Sequence, residues 1–120
     1  MTGRILLVED DPAIRQILTG LLQARGHHVE AAGDGPEALR RASHDDFDVL
    51  IMDMSLPGMT GFEVCEVLAF SGGIILMGIL GELLAKESHP NIHIDFEFVK
   101  PFDPAKLIVA VDDLLQTRQT

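Results

Sequence analysis

Glu9, Asp10 and Asp11 follow directly on the apolar run Ile5 to Val8, Asp53 follows Val49 to Met52, and Lys100 stands just ahead of Pro101. If the two apolar runs are neighbouring parallel strands, their acids converge at the carboxyl ends, where open α/β sheets bind ligands. Two carboxylates about 4 Å apart repel by roughly 4 kcal/mol at an effective dielectric of about 20, so several in one crevice call for a cation. Mg²⁺ suits such a set: it is a hard ion that takes oxygen ligands octahedrally, often one or two carboxylates together with phosphate oxygens. An acidic pocket with a lysine beside it reads as a site for phosphoryl transfer.

Positioning these residues requires strands that alternate with helices, and the hydrophobic pattern supplies them. Residues 4 to 8 form a first strand. Asp11 is then a good helix N-cap with Pro12 in the first turn, and Ile14, Ile17, Leu18, Leu21 and Leu22 recur at helical spacing until Gly26. A short second strand covers 28 to 32. Asp34-Gly35-Pro36 opens a second helix that buries Ala38, Leu39 and Ala42 and leaves Arg40 and Arg41 solvated. Residues 49 to 53 are a continuous apolar strand, as expected of a central one covered on both faces. A third helix carries Phe62, Cys65, Leu68 and Ala69 on one side, a fourth strand spans 74 to 77, and a fourth helix spans roughly 81 to 88, stopped by Pro90. Ile92, Ile94, Phe96 and Phe98 alternate with His93, Asp95 and Glu97, which predicts an edge strand with one polar side. After Asp103-Pro104, Leu107, Val111, Leu114 and Leu115 bring a last helix onto the sheet.

At 120 residues the expectation is a single domain over 1–120, and 47% hydrophobic residues exclude a disordered chain. Nineteen acids against nine bases give a net charge of −10 with no basic run longer than Arg40-Arg41. That balance disfavours direct nucleic-acid binding and favours protein partners. No apolar stretch is long enough to span a bilayer, no leader pattern is visible, and lone Cys65 cannot form an internal disulfide, so a cytoplasmic setting is expected. The five histidines do not converge on a zinc-like spacing, because Pro90 separates His89 from His93.

Over nearly its whole length the chain resembles the receiver domain of two-component response regulators. The resemblance rests on Asp10-Asp11 after the first strand, Asp53 at the end of the third, Met54-Ser55-Leu56-Pro57-Gly58-Met59-Thr60-Gly61 after it, and Lys100-Pro101-Phe102 after the fifth. It implies a doubly wound, five-stranded parallel sheet of order 2-1-3-4-5, with the site at the switch point. It further implies that Asp53 accepts a phosphoryl group from a histidine kinase or phosphotransfer protein. Asp10, Asp11, Asp53 and the backbone carbonyl of Ser55 would hold Mg²⁺, and Lys100 would pair with Asp53 or the phosphoryl group. Glu9 is expected outside the ligand set, because strand alternation points it away from at least one neighbour. The chain would not be an enzyme beyond accepting phosphate, and would pass its signal to a protein effector.

Each residue also has a plain structural reading. Asp11 can be only a helix cap, Asp53 only a strand end, Lys100 only a surface lysine; their joint occurrence favours the chemical one. Two positions depart from the family pattern. Gly78 stands where a Ser or Thr is usual, followed by bulky Ile79, and Glu97 stands where an aromatic is usual. The expectation is phosphoryl transfer with an altered switch behind it; the alternative is an interaction module that works without phosphorylation. An apolar side on the edge strand also invites a homodimer through the face of the fourth helix, fifth strand and fifth helix.

Overall fold

The computed structural model describes residues 2–118. Five parallel strands form one sheet: β1 (Arg4–Val8), β2 (His28–Ala32), β3 (Val49–Asp53), β4 (Gly73–Gly78) and β5 (Phe96–Val99), in the order β2-β1-β3-β4-β5. Helices α1 (Pro12–Ala24) and α5 (Pro104–Arg118) cover one face; α2 (Gly35–His44), α3 (Gly61–Leu68) and α4 (Leu80–Leu84) cover the other, and a 3₁₀ turn, Ala85–Ser88, follows α4.

Side-chain alternation sorts the strands between two cores. Ile5, Leu7, Val49, Ile51, Ile75 and Met77 pack towards α1 and α5, while Leu6, Val8, Leu50, Met52, Ile74 and Leu76 pack towards α2, α3 and α4. Since β1, β3 and β4 are buried on both sides, they read as unbroken apolar runs rather than alternating ones. The register pairs Val8 with Met52 and Asp53 with Met77, so the strand ends that carry the acids lie level.

The helix starts are as the cap residues predict. Asp11 Oδ1 accepts the N–H groups of Ala13 (2.9 Å) and Ile14 (3.4 Å), Asp34 Oδ1 that of Glu37 (2.8 Å), and Asp103 Oδ1 that of Ala105 (3.0 Å). Gly26, at φ +90°, closes α1 by donating to Gln23.

Four local expectations are corrected. The edge strand begins at Phe96 rather than Ile92: Asp95 takes the Ile74 N–H on its side chain (2.9 Å) and donates its own N–H to the Ile74 carbonyl (2.9 Å), which turns the chain. Ile92 and Ile94 consequently pack into one core and Phe96 and Phe98 into the other. The α-helix after β4 ends at Leu84. Val64, not Ala69, is buried with Phe62 and Cys65, because Ala69 is the left-handed residue that closes α3. Arg41 is half-buried and paired with Glu30 (3.4 Å) rather than solvated. Among the described residues, no helix is long and apolar enough to cross a membrane.

Candidate functional site

Glu9, Asp10, Asp53 and Lys100 meet at the carboxyl edge of β1, β3 and β5. Glu9 extends β1 by donating its N–H to Ala32 (3.0 Å), and its carbonyl accepts Arg15 Nη1 (2.9 Å). Its carboxyl group is fully buried, as is that of Asp53. Lys100 closes β5 by donating its backbone N–H to Gly78 (2.8 Å), and its Nζ reaches Glu9 Oε1 (3.0 Å), Glu9 Oε2 (3.3 Å) and Asp53 Oδ1 (3.2 Å).

Asp53 is held asymmetrically. Its Oδ1 accepts the Ser55 N–H at 3.1 Å besides facing Lys100, whereas its Oδ2 is buried without a hydrogen-bond partner. Burying a carboxylate oxygen without a donor is costly, so this atom is poised for a ligand rather than for packing. One carboxylate oxygen from each of Glu9, Asp10 and Asp53 lies within 4.8 Å of the others, an all-oxygen set with the hardness that Mg²⁺ requires.

The electrostatics follow from one ammonium serving two buried acids. Burial, then the neighbouring Asp53 carboxylate, pushes Glu9 up to about 8, against the opposing pull of Lys100. Asp10 is raised by its own desolvation and by Asp53. Burial also acts to raise Asp53, but Glu9, the Ser55 N–H and Lys100 together outweigh it and hold Asp53 below its ordinary value. Burial acts to lower Lys100, and contact with Glu9 and Asp53 outweighs that and raises it. At neutral pH, Asp53 therefore keeps the negative charge and Glu9 keeps a proton.

Asp11 does not join the cluster. Its Oδ1 is spent on the cap of α1, and it faces solvent one residue beyond the pocket. The acid that sequence reasoning set aside, Glu9, takes its place. Alternation misled here because Glu9 lies past the last strand residue; the signal that finds it is Lys100, an ammonium that needs a buried counter-charge. Ser55 is present through its N–H on Asp53, next to the cluster.

The family model for the response regulator receiver domain matches residues 5–112. The chain belongs to the response regulator receiver family. It is 32% identical over 117 residues to the DNA-binding response regulator MtrA of Mycolicibacterium smegmatis, covering 92% of this chain and 50% of that one. It is 36% identical over 115 residues to the transcriptional activator protein PfeR of Pseudomonas aeruginosa, covering 94% and 38%. This receiver thus spans half or less of the length of those curated relatives. Among solved structures, Vibrio cholerae CheY4 superposes with a TM-score of 0.85 at 31% identity, covering 95% of this chain and 99% of that one. Thermotoga maritima TrrA, crystallised in complex with Mg²⁺-BeF, superposes at 0.79 with 32% identity, covering 92% and 97%.

These relatives correct one expectation, that nucleic acid is not a partner. Several relatives of the receiver are named as DNA-binding or transcriptional regulators. A net charge of −10 describes the surface of these 120 residues and has no bearing on the part of such regulators that the match leaves uncovered.

Proposed function

We propose that this receiver accepts a phosphoryl group on Asp53 from the phosphohistidine of a sensor kinase or phosphotransfer protein, in the presence of Mg²⁺. The observation that carries the reading is Asp53 Oδ2, a buried, ionised oxygen with no partner, whose sister oxygen is held by Ser55 and Lys100. A nucleophile of this kind needs its orientation fixed and its charge balanced, and both are provided.

Glu9, Asp10 and Asp53 would hold the metal, with the Ser55 carbonyl as a further ligand. With Glu9 ionised, the cluster has three negative charges against the one positive charge of Lys100, and a divalent cation restores neutrality. Bound there, Mg²⁺ supplies electrostatic stabilisation to the charge on the transferring group. Lys100 orients Asp53 and offers the same group a fixed positive charge, while the β1, β3 and β5 ends keep the carboxylates in place. The TrrA complex with Mg²⁺-BeF supports the ligand class. By likeness to MtrA and PfeR, the output extends to control of DNA-bound transcription.

Incubation with acetyl phosphate and MgCl₂ followed by intact mass tests the proposal. A gain of one phosphoryl group, lost in Asp53→Ala and when EDTA is added, is the expected result. No gain in the wild type overturns it and leaves the phosphorylation-independent module standing.

A further inference from the structure

Gly78 stands where the family usually carries a Ser or Thr hydroxyl. The structure puts something in that space. Glu82, in the first turn of α4, folds back so that Oε1 accepts the Ile79 N–H at 3.0 Å and Oε2 accepts the hydroxyl of Ser55. Ser55 lies on the loop after β3 and Ile79 on the loop after β4, and these strands pair Asp53 directly with Met77. One carboxylate therefore ties together the two loops that flank Asp53.

Glycine at 78 is what admits it. A Cβ there would stand 3.0 Å from Glu82 Oε1, 3.1 Å from Met54 Cβ and 3.2 Å from Met54 Cγ. With the carboxylate in place, even a methyl at 78 would be tighter than ordinary contact, and Glu82 and Met54 would have to give by a few tenths of an ångström. Gly78 and Glu82 are thus two halves of one arrangement.

The two donors that Glu82 occupies belong to the loops that leave β3 and β4 beside Asp53. A phosphoryl group has oxygens that need such donors, and it would bring its negative charge up to a carboxylate already using them. Resting on the phosphoacceptor reading above, we propose that Glu82 is a built-in anion that holds the Ser55 hydroxyl and the Ile79 N–H in the unphosphorylated state and is displaced when Asp53 is phosphorylated. It acts as a positioning residue that opposes loading, and its release frees the loop ahead of α4. The step itself is simple: with acetyl phosphate, Asp53 Oδ2 bonds to phosphorus as the bond to the acetyl oxygen breaks, and acetate leaves with the electron pair.

The test compares the wild type with Glu82→Gln, which keeps the shape and removes the charge, and with Glu82→Ala as a second variant should the first fail to fold. Charge lining a cleft changes encounter with an ion by about tenfold or more, so initial phosphorylation by subsaturating acetyl phosphate and Mg²⁺ should rise roughly tenfold in the variants. In the wild type, phosphorylation should also move the Ile79 amide resonance as its acceptor changes. A merely structural Glu82 would give loading at or below the wild-type rate in the variants. Loading at or below the wild-type rate in the variants that fold, or an unmoved Ile79 amide on phosphorylation, overturns the inference while the phosphoacceptor reading stands. Absence of any mass gain in all chains, wild type included, sinks both.

Discussion

A lone ammonium that must serve two buried acids forces one of them to give way, and at this site the one that yields is Glu9. Folded, Glu9 releases its proton near pH 8; unfolded, near its ordinary 4.5. Between those values the native state binds a proton that the unfolded chain has lost, so metal-free stability should fall as pH rises from about 4.5 to 8 and then level off. The raised Asp10 contributes a slope of the same sign, which begins near its ordinary 3.8. The lowered Asp53 contributes fully above its ordinary 3.8, and the raised Lys100 loses its share only above its ordinary 10.5, so neither changes across this window. Urea denaturation across the window in EDTA measures the slope, and Glu9→Gln should remove most of it. Mg²⁺ competes with that proton, so its affinity should rise with pH over the same range. Asp11 separates capping from binding. Asp11→Ala should cost about 1 kcal/mol of stability through loss of its cap, and leave Mg²⁺ affinity within about twofold. Asp10→Asn should do the reverse, as calorimetric titration would show.

The elements were legible where one principle governed them and illegible where two competed. Continuous apolar runs revealed β1, β3 and β4, and Asp-Pro and Asp-Gly-Pro revealed three helix starts, because each signal is local. The segment before β5 misled because a perfect alternation of apolar and polar residues was interrupted by Asp95, whose side chain stands in for a strand neighbour of Ile74. Site residues followed the same division. Asp53 and Lys100 were visible as strand-end residues; Glu9 was hidden by an alternation argument carried one residue too far; Glu82 was invisible, since a fold-back across two loops leaves no periodic trace. At this scale Gly61 couples α3 to the site. A Cβ at position 61 would meet Met52 and Met54 side chains at 2.8 Å and the Asp53 carbonyl oxygen at 2.9 Å. The methionines can yield, but the carbonyl belongs to the strand. Gly61→Ala should therefore cost roughly 1–3 kcal/mol by overpacking and weaken Mg²⁺ binding together, read by thermal melts and calorimetry.

For the molecule as a whole, excess acidity ties the proposed metal binding to stability as well as to phosphoryl transfer. Cation binding to the native state alone stabilises it by mass action, about 2.7 kcal/mol at a hundred times the Kd, which for a chain of this size is on the order of 10 °C in Tm. That rise should appear with MgCl₂ near pH 8, shrink near pH 5, and vanish in Asp10→Asn. Scanning calorimetry at fixed ionic strength distinguishes it from general charge screening.

The contact between Lys100 and Glu9 joins residues 91 positions apart. Every strand from β1 to β5 has been made before that pair can meet, and the acids alone, without their counter-ion, cannot hold the same balance. A nascent chain whose fifth strand has not yet emerged accordingly lacks the ammonium that balances Glu9 and Asp53, however well its amino-terminal half has folded, and the acidic cluster is complete only when synthesis has passed Lys100.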